Sequence, residues 1–546
     1  MANLEADYVV VGGGLTGCAV ASRLSQSDKK PKVILIEAGA DPSSNPAAAG
    51  FLSGLSLLGG EFDYLYQSEP DPNTVDRVHS LNAGKALGGG SVINYGGWLR
   101  ADAADYDDWA KLVGDNRWSY EGIKPWLIKS EHFHDREDSE ASPDGHGFDG
   151  PMHIYPVSAS ESGSREYLLR DPVKAAWTEL GVSPNPRKTG GSIAGLTEMY
   201  ENADPSGQRQ PSNKAYPLDN VKVLTNTVVS KVTFDGTTAT GVELADGTKI
   251  KAAKEVILTA GAYRTPQVLM LSGIGPAATL AEHGIPLVHD SPHVGQNLHD
   301  HFAVYFAFRV RDASAGYALG GQHAAWANPG LYKYLPWNWV VNGPIPASLR
   351  AKHDQQEKRN LIEIISLYAP PGIPGIPVDG THIATSTMLL RPTSRGSVSI
   401  RSANPADPPR IVPNYFSTAL DRDTLVYAAR TTLKALLDTD ALRPVVEAES
   451  PPKFPGVEGE LAPLTADASD EAIEDRIRRT GSQHAHSAGT AAMGKVVDGE
   501  GKVFGVKGLR VADASILPIP LGGHPQATLY AMAEQLASVI VEEGKI

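Results

Sequence analysis

YVVVGGGLTG, residues 8–17, joins a short apolar run to a cluster of glycines. Tyr8 to Val11 suits a strand buried on both faces. Gly12, Gly14 and Gly17 follow in the spacing G-x-G-x-x-G. Ala19, Val20 and Leu24 then recur at helical period, and Val33 to Ile36 forms a second apolar strand ending in Glu37. The unit reads β-α-β. Gly12 permits a tight turn, Gly14 lets backbone N–H groups approach a pyrophosphate at the helix N-terminus, and Gly17 allows helix and strand to pack closely. Glu37 lies twenty residues past Gly17, where a carboxylate accepts hydrogen bonds from ribose hydroxyls. The motif alone does not separate NAD from FAD, but an acid without a basic neighbour disfavours a 2′-phosphate and so NADP.

The rest of the chain is long enough to build on this unit. At 546 residues it exceeds one ordinary core, so two closely packed domains are expected. Apolar residues at 41% and charged residues at 21% describe a folded globular protein. With 63 acidic against 49 basic side chains the formal charge is −14, which disfavours nucleic acid as a partner. Cys18 is the sole cysteine, which excludes an internal disulfide and a thiolate metal cluster. The N-terminus MANLEADYVVVGGG lacks the pattern of a secretory signal, and no window approaches the roughly 18 apolar residues of a membrane span. The C-terminal EEGKI is not an SKL-type address. An intracellular, cytoplasmic protein with no membrane partner is the expectation. There are no internal repeats or low-complexity tails that would suggest scaffolding. Oligomeric state is left open.

A second glycine cluster separates the cofactors. Gly84 to Asp107, GKALGGGSVINYGGWLRADAADYD, resembles the first signature of the glucose-methanol-choline (GMC) oxidoreductases, a family of FAD-dependent enzymes. Gly261 to Gly275, GAYRTPQVLMLSGIG, is similar to the second. VKVLTNTVVSKV at 221–232, NLHDH at 297–301 and GLRVADASILP at 508–518 also resemble family segments, in family order from residue 6 to about 540. The resemblance implies an α/β fold: a Rossmann-like FAD-binding domain of GMC type and a second, α+β substrate domain built on an antiparallel sheet. It implies a discontinuous FAD domain, 1–153, 195–303 and 484–546, with 154–194 and 304–483 forming the substrate domain. It assigns Gly12, Gly14, Thr16 and Gly17 to the FAD pyrophosphate, Glu37 and Ala38 to the adenosine ribose, and Val229 to the adenine. Leu87, Gly88, Gly89, Gly90, Ser91 and Asn94 fall to the isoalloxazine, Asp513 and Ala514 to the ribityl and pyrophosphate region, and Pro525 to the helix start that faces the flavin. Some relatives attach the flavin through a histidine just before the asparagine of the first signature; here that place is Ile93, so the expectation is non-covalent FAD.

Among sixteen histidines, two stand in SQHAHSAGTAAMG at 482–494 and a third in GGHPQATLYAMAEQLA at 522–537. HSAGTAAMG resembles the family's H-P-V-G-T-x-x-M-G, which identifies His486 as the catalytic histidine, with Ser487 and Ala488 replacing proline and valine. GHPQATLYAMA resembles the segment in which His or Asn precedes proline, here His524. From the residues themselves, His524 and Pro525 precede Leu529, Met532, Ala533, Leu536 and Ile540 on one helical face, so an amphipathic helix starts there with Pro at its first position. Its N-terminal partial charge favours an anion, and the resemblance places it at the flavin pyrimidine. Oxidising an alcohol removes a hydride and a hydroxyl proton, and the proton needs a base. Histidine, with an ordinary pKa of about 6.5, is suited to take it. His486 is read as the principal base and His524 as its hydrogen-bonding partner. His484 reads as a structural histidine. A metal site at His484 and His486 is disfavoured because no H-E-x-x-H or carboxylate pair completes it. His299, Asp300 and His301 match the family segment, where hydrogen bonding and not metal binding is expected.

The Pro- and Gly-rich stretches 370–377 and 451–463 read as surface loops. NPGLYKYLPWNWVVNGP, 328–344, holds Tyr332, Tyr334, Trp337 and Trp339. Trp337 and Trp339, with Tyr95 and Trp98, are candidates for a substrate pocket, against the alternative that they pack domains together. The preferred reading is an FAD-dependent alcohol oxidase or dehydrogenase that takes a primary aromatic or apolar alcohol to the aldehyde or ketone and passes electrons to O2 or a quinone- or dye-type acceptor. The alternative is a flavin-containing hydroxynitrile lyase on the same scaffold.

Overall fold

The structure, a computed structural model, describes residues 4–134, 142–159, 165–355, 357–454 and 459–544. The expected surface loop at 451–463 lies partly outside them, at 455–458. Leu4–Val11 forms the central strand of a seven-stranded sheet and is buried along its C-terminal half. It pairs in parallel with Val33–Ile36 on one side and Lys249–Leu258 on the other. Val221–Leu224 extends the parallel part beyond Val33–Ile36. On its far edge the strand Lys249–Leu258 serves two neighbours: its first half pairs antiparallel with Thr238–Leu244, and its second half pairs in parallel with Leu509–Val511. Val229–Asp235 closes that edge. Helix Leu15–Ser25 packs against the final helix, Pro525–Glu543, and Arg23 reaches the fully buried Glu534 of that helix at 2.6 Å. The first β-α-β unit is thus clamped by the last helix of the chain.

A second seven-stranded sheet is antiparallel, in the order Val446–Ser450, Phe302–Val310, His382–Leu389, Ile362–Leu367, Trp337–Gly343 and Gly195–Glu198, with Ser482–Gln483 pairing onto Phe302–Val310. Helix Ala419–Leu437 covers it. Each sheet has its own large apolar cluster of buried side chains. The α/β fold with a second antiparallel sheet is as the sequence leads one to expect. Gly195–Glu198 hydrogen-bonds into the second sheet, although the expected boundary groups it with the first. No helix among the described residues is long and apolar enough to cross a membrane.

Candidate active site

Gly12 and Gly17 of the first turn are required by space. Gly12 has φ of +106°, and a Cβ there would lie 2.5 Å from the Thr259 carbonyl oxygen. A Cβ at Gly17 would lie 2.0 Å from the Gly12 carbonyl oxygen, so helix and turn touch only because the side chain is missing. Gly14 caps helix Leu15–Ser25, which has neither a side-chain cap nor an acidic residue in its first turn. Its leading N–H groups are therefore available to an anion. Glu37 accepts hydrogen bonds from the Gly13 and Gly39 amides at 2.8 and 2.7 Å. Burial nevertheless pushes its carboxyl up to about 7. Asp513 accepts from Gly261 N–H at 2.9 Å and Thr265 Oγ1 at 2.6 Å, which ties the second glycine motif to the C-terminal segment.

From this turn a cavity of about 600 Å³ runs past Gly89, Gly90 and Asn94 to His484, His486 and His524. Ligand sites of about 300–1,000 Å³ are usual. An open helix N-terminus, a buried ribose-side acid and a long cleft ending in imidazoles fit a flavin dinucleotide. At the far end the wall is apolar and aromatic, formed by Tyr95, Tyr305, Leu335, Trp337 and Ile365.

The imidazoles there form one cluster, with ring centroids 4.9 Å apart for His484 and His486, 5.0 Å for His486 and His524, and 4.9 Å for His301 and His486. Their hydrogen bonds define tautomers. His301 Nε2 lies 2.9 Å from the Leu521 carbonyl oxygen, which only accepts, so this nitrogen carries the proton. Burial, then the nearby charge of His524, lowers His301 to about 4, so its Nδ1 is a bare acceptor near neutral pH. His486 Nδ1 stands 2.9 Å from that acceptor and must donate to it. Burial, reinforced by the three neighbouring imidazoles, holds His486 well below the ordinary histidine range. His486 is therefore neutral, protonated on Nδ1, with an unprotonated Nε2. His524 has a different support: its Nε2 is 2.7 Å from Glu363 Oε1. Burial pushes Glu363 up, but the charge of His524 leads a set of contacts that outweigh it and bring the carboxyl down to about 2. Asn342 links this carboxylate, at 3.0 Å, to the buried Lys188, at 2.6 Å.

Asp300 holds the loop that carries His486. Its Oδ1 accepts from the His486 amide at 2.8 Å and its Oδ2 from Ser487 Oγ at 2.9 Å. Ser487, where the family pattern has proline, thus adds a hydrogen bond and also contacts the Tyr263 hydroxyl. Between the two histidines Ala485 takes φ of +57°, a left-handed turn that a non-glycine residue adopts at some cost.

Gly12, Gly14, Thr16, Glu37, Ala38, Gly89, Gly90, Asn94, Val229, Asp513, Ala514, Pro525, His486 and His524 all line the cavity, as do Tyr95 and Trp337. Gly17, Leu87, Gly88 and Ser91 stand behind the wall, where the Gly88 amide donates to Gly13 O at 2.7 Å and Ser91 Oγ to Gly88 O at 2.6 Å. Two expected pocket residues are corrected. Trp98 is buried, stacks on Tyr530 and donates from Nε1 to Glu131 at 2.7 Å. Trp339 is buried and donates to the Arg170 carbonyl at 2.7 Å. Trp337 and Trp339 would share a face on a regular strand, but the register of their strand shifts between Trp337 and Val340, which turns them to different surroundings. His484, read as structural, lines the cavity and lies 2.8 Å from the Tyr305 hydroxyl. Glu363, Tyr305 and Gln526 were not anticipated. Gln526 donates to Gly97 O at 2.5 Å and accepts from Asn94 Nδ2 at 3.0 Å. The NLHDH resemblance signalled the hydrogen-bonding role of Asp300 and His301, but not their contact with His486.

Comparison with known proteins accounts for this combination of cleft and imidazoles. A family model described as GMC oxidoreductase matches residues 6–303, and a C-terminal GMC oxidoreductase model matches residues 392–533. The chain belongs to the GMC oxidoreductase family. This GMC oxidoreductase is 38% identical to the GMC-type oxidoreductase acuG of Aspergillus aculeatus, over 98% of this chain and 99% of that one. It is 31% identical to the oxygen-dependent choline dehydrogenase of Serratia proteamaculans, over 98% and 96% of the two chains. A formate oxidase superposes with a TM-score of 0.89 at 28% identity, covering 100% of this chain and 99% of the other. A second solved structure, on the effect of a mutation on FAD modification in Aspergillus oryzae formate oxidase, superposes with a TM-score of 0.87 at 28% identity, covering 99% of each chain. This GMC oxidoreductase is an FAD-dependent enzyme of a family that oxidises alcohols.

Proposed function

We propose that the protein oxidises a primary alcohol with an aromatic or apolar substituent to the aldehyde, or a secondary one to the ketone, using FAD held without a covalent bond. The observation that carries this reading is the His486 tautomer: Leu521 and His301 hold its proton on Nδ1, leaving Nε2 free to accept another. The apolar wall of Tyr95, Trp337 and Ile365 supports the substrate class by offering burial to a hydrocarbon or ring.

Gly12, Gly14 and Thr16 would hold the pyrophosphate, with Gly17 packed behind them, and Glu37 and Ala38 the ribose, with Val229 at the adenine. Leu87 to Ser91 and Asn94 would shape the isoalloxazine seat, with Asp513 and Ala514 at the ribityl and pyrophosphate region and Pro525 at the helix start facing the flavin. On this reading residues 1–153, 195–303 and 484–546 form the FAD domain, and 154–194 and 304–483 the substrate domain. Ile93 stands where some relatives carry the linking histidine and offers no nucleophile, which supports a dissociable cofactor. When bound, FAD supplies the hydride acceptor.

The chain's own residues do the rest. His486 Nε2 takes the hydroxyl proton as the carbon gives up its hydride. His301 and Leu521 keep the receiving imidazole in the right tautomer, and His301 accepts a stronger hydrogen bond from Nδ1 once His486 is cationic. The Glu363 carboxylate orients His524, which binds the alcohol oxygen, and offsets part of the positive charge in the cluster. Residues of the apolar wall exclude water and orient the carbon.

The test is to mix the yellow holoenzyme anaerobically with a panel of primary alcohols and follow flavin absorbance. Bleaching fastest with aromatic and apolar alcohols is expected. Cyanide release from hydroxynitriles without bleaching would overturn oxidation in favour of the lyase reading, which no feature of the site specifically favours. Comparing O2 uptake with quinone or dye reduction on the best substrate then identifies the acceptor.

A further inference from the structure

Away from the cavity, strands Glu131–Phe133 and Met152–Pro156 pair in parallel with His132 directly opposite His153. Residues two apart on an extended chain point to one side, so His134 joins the same face. The three rings pack together, with centroids 4.6 Å apart for His132 and His134, 4.7 Å for His132 and His153, and 5.0 Å for His134 and His153. One nitrogen from each lies within 4.8 Å of the other two. All three side chains are half-buried. His134 Nε2 and His153 Nδ1 are 2.7 Å apart, so one proton bridges them, while the His132 ring has no hydrogen bond among the described residues. Tyr155 stacks on His134 at 4.1 Å and backs the cluster. None of these residues lines the alcohol cavity.

We propose that His132, His134 and His153 form a binding site for a divalent ion of the zinc type, each giving one imidazole nitrogen, with water completing the coordination. The donor chemistry selects the ion class: three imidazoles with no thiolate suit Zn²⁺, Cu²⁺ or Ni²⁺ and do not suit Mg²⁺ or Ca²⁺, which require oxygen ligands. The geometry is close to closed. A tetrahedral site with bonds of about 2.1 Å needs ligand nitrogens roughly 3.4 Å apart, so side-chain rotation on fixed strands brings the three together. An imidazole binds such an ion through its unprotonated nitrogen, so protons compete with the ion for the site. On binding, the bridging proton of the His134–His153 pair moves to the other nitrogen of its own ring, so no charge leaves the protein. The ion would pin Glu131–Phe133 to Met152–Pro156, and the latter pairs with Tyr200–Asn202, whose Glu201 bridges to Gly97 on the cavity wall. Its role on this geometry is a structural brace, distinct from the redox chemistry.

The test uses FAD-loaded protein freed of metal by a chelator and then dialysed. Titration with Zn²⁺ by calorimetry should show one ion per chain, and Co²⁺ should give the visible absorption of a tetrahedral site. His132→Gln and His153→Gln should each weaken binding at least tenfold and leave the rate of flavin reduction by alcohol unchanged. His134→Gln provides a third independent variant if one of these fails to fold, as judged by melting of the metal-free proteins. No saturable binding at millimolar Zn²⁺ would overturn the proposal. So would binding that persists undiminished in the variants, because the ion would then lie elsewhere, the cavity imidazoles included.

Discussion

Replacing His301 by leucine tests the tautomer relay. The substitution removes the acceptor for His486 Nδ1–H and leaves that buried N–H unpaired. An unpaired buried donor costs about 1–3 kcal/mol, and moving the proton to Nε2 relieves it. That move puts hydrogen on the nitrogen that must accept the substrate's proton. At about 1.4 kcal/mol per factor of ten, the reactive tautomer is depleted roughly 5- to 150-fold. The rate of flavin reduction by alcohol should therefore fall by about 10- to 100-fold, less than the roughly 10²- to 10⁴-fold expected from deleting the base itself. KM should stay near the wild-type value, because His301 sits behind His486 and does not line the cavity. His301→Gln should recover most of the rate, since its side-chain carbonyl can accept from His486 while its amide donates to Leu521 O. Anaerobic stopped-flow reduction, with FAD content and melting temperature matched between variants, reads each quantity. Full activity in His301→Leu, or a glutamine variant no better than leucine, would refute the relay.

Gly12→Ala should fold poorly around FAD, because its backbone sits at φ of +106° and the new Cβ meets the Thr259 carbonyl at 2.5 Å; the ratio of flavin to protein absorbance after purification checks this. Trp337→Ala should raise KM for aromatic alcohols several-fold, whereas Trp339→Ala should leave KM alone and lower stability by about 3–5 kcal/mol, read by denaturant melts. Glu131 is buried between Arg100, at 2.5 Å, and His146, at 2.7 Å. Burial pushes its carboxyl up, but the Arg100 charge and then His146 outweigh it and bring it down to about 2. A carboxyl depressed on folding adds stability above its unfolded pKa and loses it as pH falls. The destabilisation by Glu131→Gln, about 3–5 kcal/mol at neutral pH for breaking a buried pair, should therefore shrink as pH drops from about 4.5 toward 2.

The parts legible in the sequence were those written as local pattern. The G-x-G-x-x-G spacing is local: Gly12 needs a positive φ and Gly17 must clear the Gly12 carbonyl, and Pro525 after His524 marks a helix start wherever it occurs. Residues that gain their roles only by long-range contact were not legible. Glu363 meets His524 across 161 residues and His301 meets His486 across 185, and neither pairing leaves a periodic trace. His484 sits two residues from His486 and was read as structural, because nothing in the segment reveals the left-handed turn at Ala485 between them. Trp339 escapes a sequence reading for a related reason: a strand irregularity beside Trp337 breaks the alternation on which a shared face depends.

The central claim is that His486 Nε2 takes the proton of an alcohol whose carbon loses hydride in the same cavity. Single-turnover, anaerobic flavin reduction by an aromatic primary alcohol, with protium or deuterium on the reacting carbon, measures this in wild type and His486→Ala. A slower wild-type rate with deuterium, and a rate at least about 100-fold lower in the variant holding equal FAD, is the predicted result. Equal rates in the two proteins would contradict it.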